Sequence, residues 1–272
     1  MKEEEAYSIL DIISESDGQS VILTRSGSIC IPFELRQPEC YSLSPEEIDE
    51  RDGMYREAFR HMPDGTYVHK QDVFLKKEYH PGKGTGSFLD RADARHFEGR
   101  LYIDHTCILH FVLAGLKSLE KAYVSSPLAY KEHLHREDYR KLEAFLEGVD
   151  NAVSILQNMR GNSVLPMSCE GISGFTRAYS GLFGDTDAVV DIHVDGSLHV
   201  GKNHARCYAV CDETFLPEGN IESYVRDESL PPAASQLYHP LMEQLGMYLP
   251  YNHIVNQVIY FEGNERLRSR IA

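Results

Sequence analysis

Side chains with metal-ligand chemistry are densest between residues 191 and 211. They are the run Asp191-Ile-His-Val-Asp-Gly-Ser-Leu-His-Val200, then His204, Cys207 and Cys211. If Asp195-Gly-Ser197 forms a three-residue hairpin loop, His193 and His199 lie opposite each other on one face of two paired strands. Two imidazoles so placed are close enough to share a metal ion. The pattern therefore indicates His193 and His199 as candidate metal ligands.

The same region has a second interpretation without a metal. The spacing His204-x-x-Cys207-x-x-x-Cys211 matches no common zinc pattern. On one strand Cys207 and Cys211 would point inward together, since alternate residues share a face. The alternative is therefore a solvent-facing histidine pair beside two buried thiols. A metal-dependent enzyme that uses His193 and His199 is the function that the first interpretation would imply.

A glycine-rich loop at residues 80–90 resembles a phosphate-binding loop only in composition. Its sequence is His80-Pro-Gly-Lys-Gly-Thr-Gly-Ser-Phe-Leu-Asp90. A Walker A loop ends in Gly-Lys-Ser/Thr, because the lysine and hydroxyl must leave at the helix start. Here Lys83 comes at the front of the loop. Ser87 and Asp90 instead form a helix capping pair, so we expect a surface loop that ends in a helix.

Motifs for nucleophilic catalysis are also absent from the sequence. Gly171-Ile-Ser-Gly174 is one residue short of the Gly-x-Ser-x-Gly elbow. His105 and His110 fall in a predicted strand without an evident carboxylate and nucleophile nearby, so we expect each to be satisfied by a core hydrogen bond. We therefore expect this chain to have no catalytic residues and no cofactor.

Composition limits the classes of partner. The 272 residues carry a net charge of −15, which repels phosphate backbones and argues against direct nucleic-acid binding. No apolar run has the length of a membrane span, and the acidic N-terminus lacks the apolar core of a signal peptide. Six cysteines occur without a C-x-x-C pair, as in reduced cytosolic proteins. We expect a cytoplasmic chain that meets membranes only through partners.

Periodicity predicts an α+β fold, with helices packed on mostly antiparallel sheet and ferredoxin-like split βαβ elements. The predicted order is strands at 21–24 and 28–35, a helix from Pro45 to Met62, a strand at 66–79, a helix from Ser87, a strand at 101–113, a helix at 137–160, a glycine-rich segment at 171–184, strands near 188–194, 198–201 and 205–212, a helix near Pro240 and a strand at 253–261. We expect two lobes, 1–125 and 126–272, or one continuous domain.

Three of these elements carry more specific expectations. Pro32 lies inside the second strand, which suits an edge position or a bulge. The end of the strand at 101–113 is apolar on both faces, which predicts a central place in the sheet. The helix at 137–160 has a core-facing stripe at three- and four-residue spacing. The stripe consists of Tyr139, Leu142, Phe145, Val149, Val153 and Leu156.

Several segments in order resemble the N-terminal region of the TraG-family conjugation ATPases of Bacteroidetes, relatives of the traffic ATPase of type IV secretion. The segments are Tyr67-Val-His-Lys-Gln-Asp72, Val73 to Tyr79, Ser87-Phe-Leu, Arg95-His-Phe97, Tyr102 to Cys107, Phe145 to Asp150, Asp212 to Pro217 and Tyr251 to Gln257. The block from Tyr67 to Cys107 is the most specific. Residues 165–200 match poorly.

The resemblance implies an assembly role. In that family the Walker motifs lie in a C-terminal motor domain that this chain does not contain. The implied function is a non-catalytic module that docks the ATPase to channel components at the cytoplasmic face of the inner membrane and to other ATPase subunits, with a homo-oligomer as a further option. The last residues, Asn264 to Ala272, begin like a capped helix and are shorter than most isolated helices, which suits a piece of a longer protein. A self-standing regulator of conjugation is the alternative.

Overall fold

A computed structural model describes residues 9–14, 18–38, 45–81, 87–116, 136–184, 192–209, 224–226, 236–238, 249 and 251–262. The helices in these ranges are α1 Pro45–Phe59, α2 Phe88–Phe97, α3 Arg136–Asn158 and α4 Cys169–Ser180. The strands are β1 Ile9–Ser14, β2 Ser20–Thr24, β3 Ile29–Arg36, β4 Thr66–Glu78, β5 Leu101–Leu113, β6 Ser163–Pro166, β7 Ile192–Val194, β8 Leu198–Val200, β9 Asn203–Ala205, β10 Tyr224–Arg226, β11 Gln236–Tyr238 and β12 His253–Tyr260. Among these helices, none is long and apolar enough to cross a membrane.

The largest sheet has a ferredoxin-like centre. Its order is β1-β2-β3-β5-β4-β12, with β6 also paired to β3. β3, α1 and β4 form one split βαβ unit, because β5 lies between the two strands. β5, α3 and β6 form a second, because β3 lies between them. The α+β class, the antiparallel pairing, the split βαβ elements and the central position of β5 are therefore confirmed.

Pro32 determines how β3 is paired. β3 pairs with β5 along the whole of Ile29–Leu35, while its other edge pairs with β2 at Ile29 and Cys30 and with β6 at Phe33–Arg36. Pro32 falls in the gap between β2 and β6, where its carbonyl accepts from the Met167 backbone N–H at 3.4 Å. Proline has no N–H to offer at that gap. β3 is therefore not an edge strand as a whole. Ile31 and Pro32 pair with β5 on one side and with neither β2 nor β6 on the other, so the second edge is locally open where the sequence predicted an edge position or a bulge.

The main core lies between one face of this sheet and helices α1 and α3. Alternate residues of β3 and β5 point into it, as a strand period of two requires. Its fully or almost fully buried members include Leu35, Leu109, Phe111, Phe145 and Leu156. Phe111 is edge-on to both Phe33 and Phe59, with ring centroids 5.8 Å and 6.2 Å apart. The opposite face carries a smaller cluster around Ile22, Cys30, Val112 and Ile172.

Helix α3 corrects the predicted stripe at one position. Phe145, Val149 and Leu156 are buried as expected, but Tyr139 is 60% exposed. Tyr139 lies six residues before Phe145, and six steps of 100° place it about 120° from the buried face. Asp138, seven residues before Phe145, is buried in its place. Repeated three-residue steps therefore drift away from the core stripe.

Helix α4 occupies the segment predicted only as glycine-rich. Ser168 caps it, since its hydroxyl accepts from the Gly171 backbone N–H at 3.2 Å. Ile172 is buried, and the Ile172 backbone N–H bonds to the Ser168 carbonyl at 2.9 Å. Gly171 and Gly174 lower helix propensity, which is why the composition suggested a loop. The helix predicted near Pro240 lies outside the described residues.

The chain divides into two compact units, each built from separated stretches. Unit 1 consists of Met1–Gln71, Cys107–Thr176 and Asn256–Ala272. Unit 2 consists of Asp72–Thr106 and Arg177–Val255. The ferredoxin-like helices α1 and α3 belong to unit 1. The expected lobes at 1–125 and 126–272 stay a prediction.

Gly148 allows α3 to approach the end of α1. A methyl group at Gly148 would lie 3.2 Å from the Pro63 ring and 3.3 Å from the His61 carbonyl, whereas one at Gly53 on α1 would meet nothing within 4 Å. We expect Gly148→Val to lower the free energy of unfolding by about 1–3 kcal/mol through overpacking. Gly53→Val, the same change in a helix with open space, is expected to be neutral within about 0.5 kcal/mol. Urea unfolding of both variants measures this; equal effects would contradict the close approach.

Candidate functional site

The histidine hairpin is the segment from Ile192 to Val200, formed by β7, β8 and the turn between them. Val194 pairs with Leu198, His193 with His199 and Ile192 with Val200. Gly196 has a φ of +90°, a conformation that favours glycine, and it closes the three-residue loop. The predicted loop and register are confirmed. Directly paired residues share a face, so His193 and His199 point to the same side.

The side chains of this hairpin bring three possible ligands together. The imidazoles of His193 and His199 are parallel, with ring centroids 4.6 Å apart. The Asp195 carboxylate lies 2.7 Å from Nε2 of His199, and the Ser197 hydroxyl lies 2.9 Å from the same nitrogen. His193, Asp195 and His199 each place one ligand atom within 4.8 Å of the other two. Asp195 joins the two histidines through the turn, which the register alone does not show.

The strand β9 places His204 beside the histidine pair, whereas Cys207 lies beyond the end of this strand. Gly201 and Lys202 form a two-residue turn that lets Asn203 pair with Val200, and His204 then lies opposite His199 with ring centroids 6.0 Å apart. The strand predicted at 205–212 is therefore wrong in position, since β9 ends at Ala205. Cys207 follows the strand and is exposed, so its predicted burial is wrong as well. Cys211 lies outside the described residues.

A second histidine has a carboxylate partner that the sequence did not reveal. His105 on β5 lies 2.9 Å from the buried Asp72 carboxylate on β4. The Phe74 ring stacks on His105 at 4.5 Å and on His253 at 4.7 Å. The hydrogen bond expected for His105 is thus present, and its partner is a carboxylate that the sequence could not reveal, because Asp72 is distant in sequence and adjacent only across the sheet. The arrangement orients the His105 imidazole through one hydrogen bond and one stacked ring, that of Phe74.

His110 lies on the face of the sheet opposite the main core, beside Cys30 and His69. Its Nδ1 lies 3.7 Å from the Cys30 sulfur, and its ring stacks on His69 at 5.4 Å. Burial, with a smaller repulsion from His69, lowers the pKa of His110 to about 4. Burial raises the pKa of the Cys30 thiol to about 12. Both groups are thus neutral at physiological pH, which does not favour a thiolate–imidazolium pair.

Large apolar side chains are exposed where β4 and β5 meet helix α2. We call Phe88, Leu89, Phe97, Leu101 and Tyr102 the arm surface; all lie in unit 2. Helix α2 buries none of its side chains, and Phe88 and Leu89 are 76% and 70% exposed. The predicted capping box is confirmed, because Ser87 and Asp90 exchange side-chain-to-backbone bonds of 3.2 Å and 2.7 Å.

Part of the arm surface lines an open pocket. Tyr79, Phe97, Arg100, Leu101 and Tyr102 form its walls. The Arg100 guanidinium lies 5.4 Å above the Phe97 ring, a cation–π distance, and the Tyr79 and Phe97 rings are edge-on at 6.4 Å. The lining is mainly apolar with one cation at the rim. Such a surface suits contact with another protein.

No family model matches the chain. No curated protein matches it significantly either. The comparisons thus attach no activity to the histidine hairpin, to the Asp72–His105 pair or to the arm surface. These sites are interpreted from their own chemistry.

The low pKa of His110 makes stability depend on pH. Its folded-state pKa of about 4 lies below the ordinary value of 6.5, so only the unfolded state gains a proton as the pH falls from 7 to 5. We expect this histidine to remove about 2 kcal/mol of stability over that interval, with nothing lost above pH 7. His110→Gln should flatten the dependence by that amount. Urea midpoints at pH 7 and 5 measure it, and equal slopes in both proteins would contradict the buried neutral imidazole.

Cysteine reactivity separates the buried thiols from the exposed one. We expect Cys207 to be alkylated by iodoacetamide at pH 8 at least about 100-fold faster than Cys30. Cys30 is buried with a pKa of about 12, whereas Cys207 is exposed. Peptide mass spectrometry of timed reactions gives the two rates in one sample. Similar rates in the native chain, and not only in denaturant, would show that Cys30 is accessible.

Proposed function

We propose that this chain is a non-catalytic assembly module of a conjugative-transfer ATPase, which binds a channel component of type IV secretion through the arm surface. The observation that carries the proposal is that α2 buries no side chain while it presents Phe88 and Leu89 to solvent. A short helix gains stability mainly by packing an apolar face. A helix that buries no side chain against the described residues has its apolar residues available for another protein.

Four of the five residues of the arm surface also belong to the segments that carry the resemblance to the conjugation ATPases. Phe88 and Leu89 stand in Ser87-Phe-Leu, Phe97 in Arg95-His-Phe97 and Tyr102 in Tyr102 to Cys107. Apolar residues needed only for folding would be expected in the core. These are exposed, which supports a role in recognition. The partner we propose is a cytoplasm-facing channel subunit with an apolar groove that receives α2.

The charge and chemistry of the described residues agree with a role in assembly. The chain has a net charge of −15, which disfavours a direct grip on DNA. In the part of the chain that the structure describes, the Cys30–His110 contact pairs two neutral groups. In this proposal the chain works at the cytoplasmic face of the inner membrane and reaches the membrane only through its partners.

The arm surface can be changed without disturbing its helix. We expect Phe88→Asp with Leu89→Asp to weaken binding to the channel subunit by more than about 30-fold, since central apolar anchors are worth 2 kcal/mol or more. Aspartate in the first turn of a helix is favourable, so α2 should persist. Surface plasmon resonance against each purified cytoplasm-facing subunit of the same conjugative element measures the affinity, and circular dichroism checks the fold.

Tyr139→Asp is the matched control for this experiment. Tyr139 is also a large, 60% exposed side chain near the start of a helix, but it lies on α3 in unit 1 and is not part of the arm surface. We expect its affinity to equal that of the unchanged chain. If no channel subunit binds, or if both variants weaken binding equally, the proposed docking through α2 is wrong.

The module and the self-standing regulator differ in the size of the native protein. An immunoblot of source cells with an antibody to this chain gives that size directly. A band several times larger than 30.9 kDa is expected for an ATPase that contains the module. A single band at 30.9 kDa would instead favour a regulator that occupies the docking site of the ATPase.

A further inference from the structure

We propose that the histidine hairpin binds one Zn²⁺ ion through His193, Asp195 and His199. Imidazole and carboxylate ligands in this combination suit zinc among the common biological metals. One ligand atom from each of the three side chains lies within 4.8 Å of the other two. His193 and Asp195 are exposed and His199 is only partly buried, so these side chains have room to rotate toward a common centre.

The turn makes the ligand set local and preorganised. His193 and His199 are a directly paired cross-strand couple, and Asp195 is the first residue of the loop that joins them. The backbone N–H of Asp195 also bonds across the loop to the Ser197 carbonyl at 3.2 Å. A metal site made of one hairpin needs little additional ordering, so less of the binding free energy is lost to entropy.

A bound metal would also increase the stability of the hairpin. The sheet β7-β8-β9 has three strands of three residues each, and Ile192 and Val194 are 54% and 75% exposed. Short strands with little buried area are marginally stable. An ion held by both strands and the turn cross-links them, and its binding free energy adds to the stability of the sheet. The net charge of −15 further raises the local concentration of divalent cations.

The neighbouring groups can support such a site. The Ser197 hydroxyl lies within hydrogen-bonding distance of His199, and His204 stands in the same cross-strand row with its ring 6.0 Å from that of His199. We assign the ligands to His193, Asp195 and His199 alone, because one ligand atom of each lies within 4.8 Å of the other two. The role of the ion is to fix the hairpin, which is independent of the proposed docking through α2.

Calorimetric titration of the chelator-treated chain with ZnCl₂ tests this inference. We expect one Zn²⁺ per chain and a loss of affinity greater than about 10-fold in each of His193→Ala, Asp195→Asn and His199→Ala, since even outer-shell changes cost 10- to 100-fold. His80→Ala is the control, because His80 is an exposed histidine outside the hairpin. It should bind zinc as the unchanged chain does.

Hydrogen exchange provides the second readout. Backbone amides of 192–205 should exchange more slowly in zinc than in chelator, and this protection should vanish in Asp195→Asn, which keeps a residue suited to the turn. Absence of stoichiometric binding would overturn the proposal. So would binding that survives all three substitutions, or that falls equally in His80→Ala, since both results indicate ions held by other surface groups. Phe88→Asp with Leu89→Asp should leave zinc binding unchanged, so the two proposals fail separately.

Discussion

The pairing of β3 on both edges is the constraint on which the sheet depends. β5 takes one edge in full, whereas the other is divided between β2 and β6 with Pro32 at the gap. A continuous partner strand on that side would face a position without a donor. The division instead admits β6 to the sheet, and β6 brings α3 onto the face where Phe145 and Leu156 close the core. One missing N–H is therefore compatible with a strand that has partners on both edges, because two short partners share the second edge and leave Ile31 and Pro32 between them.

Long elements with a clear period could be predicted, and short or glycine-containing ones could not. β5 alternates before its end becomes apolar on both faces, which is what a central strand requires. β6 has only four residues, too few to show a period, and it is recognised as a strand only by its pairing with β3. α4 depends on the Ser168 cap and on burial of Ile172, while its glycines argue locally for a loop. Tertiary contacts decide such segments.

The candidate site shows the same division between local and distant information. His193 and His199 could be paired from sequence because a three-residue turn sets their register. Cys207 could not be placed, because the two-residue turn at Gly201 and Lys202 starts β9 at Asn203, and the strand ends at Ala205, before Cys207. Asp72 and His105 are 33 residues apart and meet only across two strands. The exposure of Phe88 and Leu89 was equally hidden, because an apolar residue has the same letter in a core and on a surface.

The hydrogen bonds at the two ends of residues 80–98 bear on how the length of that segment can change. The backbone N–H groups of Tyr79 and Gly99 bond to the carbonyls of Arg100 and Tyr79, at 2.9 Å and 3.0 Å. These two bonds close the chain around residues 80–98, so the strands are joined before that segment begins and after it returns. Closing a longer loop between fixed ends costs little additional entropy. We therefore expect that residues 80–98, which include α2, can be replaced by segments of different length while β4 and β5 keep their register.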